Sequence, residues 1–185
     1  MMNLNDWFHR GMTTKEYINS LTDYKDHFLH IYNHFTPFGS DSFFNTVKHK
    51  QLRVIAISEV WCGHCMLNIP ILLRFAEKVK MDIRILKRDD NLQLMDQYLT
   101  NGKRIIPIFI FIDEQGQEVA QWGPVAPSTK QHVALYEKQL PPKDDPHYKE
   151  AFKQFIKDVT QAFREDVNIW NGTYESMKRT VERIK

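Results

Sequence analysis

The chain has 185 residues, of which 42% are hydrophobic, 12% aromatic and 26% charged, the mix of a globular protein that buries about 70% of its unfolded surface. Lys plus Arg number 25 against 23 Asp plus Glu, and these charges are scattered, without the clustered basic excess of a nucleic-acid groove or an anionic-membrane anchor. The longest apolar run, residues 105–112, falls far short of the roughly 20 residues of a membrane helix, and residues 1–10 lack the basic start, apolar stretch and small-residue cleavage site of a signal peptide. A cytoplasmic protein that binds neither nucleic acid nor membrane is expected.

In chain order, Thr13 and Glu16 offer a capping box, and apolar residues recurring from Tyr17 to Phe35 predict one long amphipathic helix. Pro37 and Gly39 stop it, and Ser40 is placed to cap a shorter helix reaching about Lys48. The β-branched run 52–58 predicts a buried strand, and residues 62–79 a helix kinked at Pro70. Residues 81–86 alternate like a strand, and 92–99 repeat at helical spacing. After Pro107 the run 108–112 is a strand, with 117–122 as its hairpin partner across the turn 113–116. Helices follow over about 129–140 and from Phe152 to the end, with Asn171-Gly172 read as an interruption. The aromatic stripes at 17–35 and 152–170 read as core-facing helix sides.

The residues that carry chemistry are Trp61-Cys62-Gly63-His64-Cys65, between a predicted buried strand and a predicted helix. A cysteine at a helix start faces unsatisfied amides and the positive end of the dipole, both of which favour thiolate. Residues three apart share a helix face, so Cys62 and Cys65 can close a disulfide. Cys62, nearer the helix end, is expected to be the more exposed and to attack, and Cys65 to resolve the mixed disulfide. Gly63 permits a tight turn, and a protonated His64 would stabilise the Cys62 thiolate and make the disulfide more oxidising. Trp61 is expected to shield the thiol and contact substrate.

On these residues the chain resembles the thioredoxin-like oxidoreductases, with the Cys-Gly-His-Cys centre typical of protein disulfide isomerase domains. Pro70, eight residues after Cys62, is similar to the family's helix-kinking proline. Ile106-Pro107 resembles its cis-proline, which faces the cysteines, and Gly123 the glycine of its substrate-contacting surface. Trp122, beside Gly123, is either core or part of that surface. One departure is Ala56, six residues before Cys62, where the family carries a buried Asp that assists proton removal from the resolving thiol. Glu59, the acid nearest in sequence, is either a proton-transfer group or solvated surface.

The resemblance implies an α/β fold: one domain over 1–185 with a thioredoxin-like mixed sheet over about 42–123, and helical extensions over 1–41 and 124–185. The family's first strand is expected to be missing. The implied activity is reduction of protein or small-molecule disulfides. With no flavin or nicotinamide motif, no cofactor is expected, and electrons would come from a partner reductase or a low-molecular-weight thiol. The rival readings are a redox-regulated binding module, whose cysteine pair senses oxidation and whose extra helices bind a partner, and a zinc-binding structural protein. The zinc reading lacks a second Cys-x-x-Cys pair.

Overall fold

The computed structural model describes residues 3–185. Its first helix, α1 (Leu4–Arg10), was not expected; Asn3 and Asp6 close a capping box on it. The box at Thr13 and Glu16 starts α2 (Thr14–Ser20) as expected, but the long helix anticipated up to Phe35 breaks at Leu21. There the backbone turns extended, which buries the Leu21 side chain, and Thr22 and Asp23 are weak helix formers that favour turns. The chain resumes as α3 (Lys25–His34), and Ser40 caps α4 (Asp41–His49) by accepting the Phe43 N–H at 3.1 Å.

The central unit is β1 (Arg53–Ser58), α5 (Gly63–Val79) and β2 (Asp82–Lys87), with β1 and β2 parallel. Pro70 lies inside α5, whose buried residues run almost without interruption from Cys65 to Ala76. The helix anticipated over 92–99 shrinks to one turn, α6 (Leu92–Met95). A long-range contact overrides the helical spacing here, because the Tyr98 hydroxyl donates to Glu118 at 2.7 Å. β3 (Ile108–Ile112) and β4 (Glu118–Trp122) form the expected hairpin, and the sheet order is β2-β1-β3-β4 with β3 antiparallel to both neighbours. Nearly every residue of β1 and β3 is buried, so both sheet faces are covered at its centre. In place of a further strand on the β2 edge, Met12 makes a lone two-bond bridge with Ile85, at 2.8 and 2.9 Å.

Three helices finish the chain: α7 (Pro127–Glu137), α8 (Tyr148–Glu165) and α9 (Val167–Glu182). The interruption expected at Asn171-Gly172 lies instead at Asp166, which ends α8 with an extended backbone and caps α9 by accepting the Asn168 N–H at 2.8 Å. Gly172 sits within α9, where a Cβ would overlap the Ser128 hydroxyl of α7, so this glycine permits close helix packing rather than a break. α9 reaches the sheet through Ser176, which accepts the Trp122 indole N–H at 3.0 Å, and reaches α5 through Tyr174, packed edge-on against Phe75 at 5.3 Å. Among the described residues no helix is long and apolar enough to cross a membrane.

Candidate active site

β1 ends at Ser58, and the chain crosses residues 59–61 before α5 begins. Cys62 is the N-cap of α5, with an extended backbone, and its Sγ accepts the Cys65 N–H at 3.3 Å. Its carbonyl takes the first bond of the helix, from the Met66 N–H at 3.0 Å. A cysteine thus fills the position that serine or aspartate usually holds, and the amides such a side chain satisfies point at sulfur. Both cysteines are free thiols. Cys62 is 9% exposed and Cys65 fully buried, so the expected order of exposure holds, although Cys62 is more covered than a surface nucleophile.

The two sulfurs have opposite proton affinities. Cys62 is held below the ordinary thiol range, first by its hydrogen bond with the Cys65 side chain, then by the Cys65 and His64 amides and the Arg88 charge, against the opposing pull of burial. Cys65 is pushed well above that range by burial, and its hydrogen bond with Cys62 adds to the rise. Cys62 is therefore the first of the pair to ionise, and Cys65 holds its proton longer.

The opposite wall of the site is the turn before β3. The Ile106–Pro107 peptide is cis, and the Ile106 carbonyl oxygen stands 3.9 Å from the Cys62 Sγ. Gly123 closes on the same turn. At φ +130° it occupies backbone space that suits glycine, and a Cβ there would overlap the Pro107 carbonyl oxygen. Cys62, Ile106, Pro107 and Gly123 therefore line one continuous surface, and Gly123 is exposed on it. Trp61, 51% exposed, lies at its edge with the Arg88 guanidinium 4.9 Å from its ring centroid.

Several expectations are corrected. His64 is partly buried, with its Nδ1 sealed from solvent and its ring 5.2 Å from Phe163 of α8; burial pushes its pKa down, so it is no cation for Cys62. The side-chain charge that does favour the Cys62 thiolate belongs to Arg88, just after β2. Gly63 is the first residue of α5 and keeps an ordinary backbone; a Cβ there would meet Thr160 Cγ2 at 3.4 Å, an ordinary contact, so no tight turn demands glycine. Of the two readings of Trp122 the structure shows core: it is stacked on Phe109 at 5.1 Å with its indole N–H turned to α9. Glu59 is not solvated surface: it is 5% exposed, and its carboxylate accepts the Asp89 N–H at 2.9 Å.

The structure also brings in residues that sequence spacing did not mark. Tyr24, at the start of α3, lies within reach of the Cys62 charge: burial first, and then that charge, hold its phenol above the ordinary range. Thr160 and Phe163 of α8 lie against Gly63 and His64. Tyr17 of α2 meets Ser58 in a buried hydroxyl pair at 2.8 Å. All but Ser58 and Arg88 come from the helical extensions, so no local pattern around the cysteines announces them.

A family model described as thioredoxin matches residues 11–139. A protein of unknown function from Pseudomonas aeruginosa, 16% identical, superimposes over 88% of this chain and 99% of its own at a TM-score of 0.61. An HIV epitope-scaffold, 14% identical, does so over 99% of this chain and 97% of its own, also at 0.61. Fasciola hepatica thioredoxin, 21% identical, aligns over 51% of this chain and 88% of its own at 0.35. At these identities the likeness to the first two is one of fold, and it extends through the helical additions. No curated protein matches the chain.

Proposed function

This chain belongs to the thioredoxin family, and from that premise we propose that it is an oxidoreductase that reduces disulfides by thiol–disulfide exchange at Cys62 and Cys65. The observation that carries this reading is the placement of Cys62: a sulfur on the N-cap of α5, accepting the Cys65 amide at 3.3 Å and facing the Ile106 carbonyl at 3.9 Å. The Cys62 thiolate attacks one sulfur of a substrate disulfide; a Cys62–substrate S–S bond forms, the substrate's own S–S bond breaks, and its other sulfur leaves as a thiolate that takes a proton. Cys65 then loses its proton and attacks the Cys62 sulfur. The Cys62–Cys65 bond forms, the second substrate thiol departs, and the protein is oxidised by two electrons.

Substrates are disulfide-bearing proteins or small disulfides, whose extended segments would lie along Ile106 and Gly123. A partner reductase or a low-molecular-weight thiol returns the two electrons. Turnover of a disulfide in the presence of such a thiol is the test. Cys65→Ser is expected to accumulate a mixed disulfide at Cys62, seen as an adduct by mass spectrometry, whereas Cys62→Ser forms none. Trapping by Cys62→Ser alone would reverse the roles, and no turnover in the wild type would sink the reading.

A second reading, a redox-regulated binding module, is favoured by one observation: α8 packs directly on Gly63 and His64, between the two cysteines. Oxidation without turnover, accompanied by a change in α8, would support it over catalysis.

A further inference from the structure

The site has two walls that belong to different elements: α5 carries Cys62 at its N-cap, and the facing wall is the pair of turns at Ile106–Pro107 and Gly123–Pro124. The second turn is poorly fastened by its own backbone. It follows the last residue of β4, Pro124 has no N–H to donate, and among the described residues 123–125 make no backbone hydrogen bond outside the sheet. A side chain of α5 fastens it instead. Asn68 donates from Nδ2 to the Pro124 carbonyl oxygen at 3.4 Å, a long bond and so a modest one, and no backbone amide takes that oxygen. Because the acceptor is a carbonyl, the orientation of the carboxamide is settled: its nitrogen faces Pro124.

Asn68 is out of character with the helix around it. The buried side chains that follow Cys65 in α5, as far as Ala76, are otherwise apolar, and Asn68 is fully buried among them. Its Oδ1 is sealed from solvent without a partner within the protein, so the carboxamide makes one bond and leaves one acceptor unsatisfied. A leucine, branched at the same atom, would carry no such penalty, so stability of the helix does not account for an amide at this position. Its place in the site does. Asn68 lies three residues after Cys65, on the same face of α5. Gly123 abuts Pro107, where a Cβ would fall 2.3 Å from the Pro107 carbonyl oxygen, and the Ile106 carbonyl stands 3.9 Å from the Cys62 Sγ. These contacts close a ring that runs from Cys62 to Ile106, from Pro107 to Gly123, from Pro124 to Asn68, and back along α5 to Cys62.

We propose that Asn68 is a positioning residue that sets the width of the substrate groove: by holding the Gly123–Pro124 turn to α5, it fixes the spacing between Cys62 and the wall along which a polypeptide substrate lies. This rests on the exchange reading above and adds a residue on which protein disulfides depend more than small ones. A protein disulfide brings flanking backbone that lies along Ile106 and Gly123, whereas a small disulfide needs only the Cys62 sulfur. Asn68 acts through the turn and not on the reacting sulfurs.

Insulin reduction driven by dithiothreitol gives kcat and KM for a protein disulfide, and the second-order rate with dithiobis(nitrobenzoate) gives the reactivity toward a small one. Asn68→Leu removes both the bond and the unsatisfied acceptor. It is expected to raise the insulin KM about threefold at an unaltered kcat, the lower end of what one neutral hydrogen bond contributes, and to lower reactivity toward insulin relative to the small disulfide by the same factor. Its melting temperature should be no lower than that of the wild type. Asn68→Ala, too small to overpack, is expected to give the same split between KM and kcat with a lower melting temperature. A wild-type insulin KM in either folded variant would overturn the proposal. An equal fall in reactivity toward both disulfides, or failure of both variants to fold, would make Asn68 a merely structural residue and overturn it as well. No reaction of the wild type with either disulfide would overturn the exchange reading itself, whereas wild-type turnover of insulin matched by Asn68→Leu would overturn the role of Asn68 alone.

Discussion

Two cysteines three residues apart differ in proton affinity because only one of them reaches the helix end. Cys62 receives the amides of the first turn of α5, whereas Cys65 lies one turn deeper among apolar side chains. Lowering a thiol pKa raises the thiolate fraction at every pH below the ordinary value, so the depressed Cys62 gains reactivity as pH falls toward neutrality relative to a free thiol. Iodoacetamide should therefore modify Cys62 first, with a rate midpoint below 9.0, while Cys65 stays unmodified across that range. The same measurement separates His64 from Arg88. His64 is kept neutral by burial, so His64→Asn should leave the Cys62 midpoint in place. Arg88→Gln removes a charge that favours the thiolate and should raise it, by less than the loss of the amide hydrogen bonds would, because the charge is the smallest of the named causes. A downward shift on either substitution would contradict this electrostatic account.

At the scale of elements, the site is where three helices converge on the end of β1. α5 presents the cysteines, α2 brings Tyr17 to Ser58, and α8 lays Thr160 and Phe163 over Gly63 and His64. α8 was legible from its apolar spacing as an amphipathic helix, but spacing says only that a face is buried, not against what. Phe163 is fully buried against the active-site helix, so Phe163→Ala should cost about 3–5 kcal/mol in a denaturant melt. It should also raise the rate at which a bulky disulfide reacts with Cys62 relative to a small one. An unchanged ratio would mean that α8 supports the site without restricting access to it. Two helix boundaries misplaced by spacing have the same cause. Tyr98 leaves its helical repeat to bond Glu118, and Leu21 leaves the helix to bury itself, so in both places a distant contact outweighs local propensity.

For the molecule as a whole, the C-terminal helices complete the core. Trp170, Tyr174, Met177 and Val181 of α9 are buried, and Tyr174 sits among Phe35, Phe38 and Phe75. Burying each such side chain is worth about 1.5–3 kcal/mol, so four of them contribute of the order of 6–12 kcal/mol, comparable to the whole stability of a typical domain. A chain ending before Val167 should therefore lose cooperative thermal unfolding, measured by circular dichroism, and expose its Trp122 indole, which α9 now holds through Ser176. A sharp transition in the shortened chain would show that the helices are ornaments on a self-sufficient sheet.

The amino-acid sequence by itself determined the parts whose cause is local. The run at β1, the Cys62-x-x-Cys65 spacing before α5, the caps at Thr13 and Ser40, and the hairpin of β3 and β4 are each written in a few adjacent residues. The order of exposure of the two cysteines followed from helix geometry in the same way. Only the tertiary structure decided what surrounds them. It buried His64 against Phe163 and so removed its charge, turned Trp122 into core, engaged Glu59 with the Asp89 amide, and set Tyr17, 41 residues away, on Ser58. The physical reason is that desolvation and long-range hydrogen bonds depend on which distant segment covers a side chain. That choice is made by packing in three dimensions, and no spacing within one element records it.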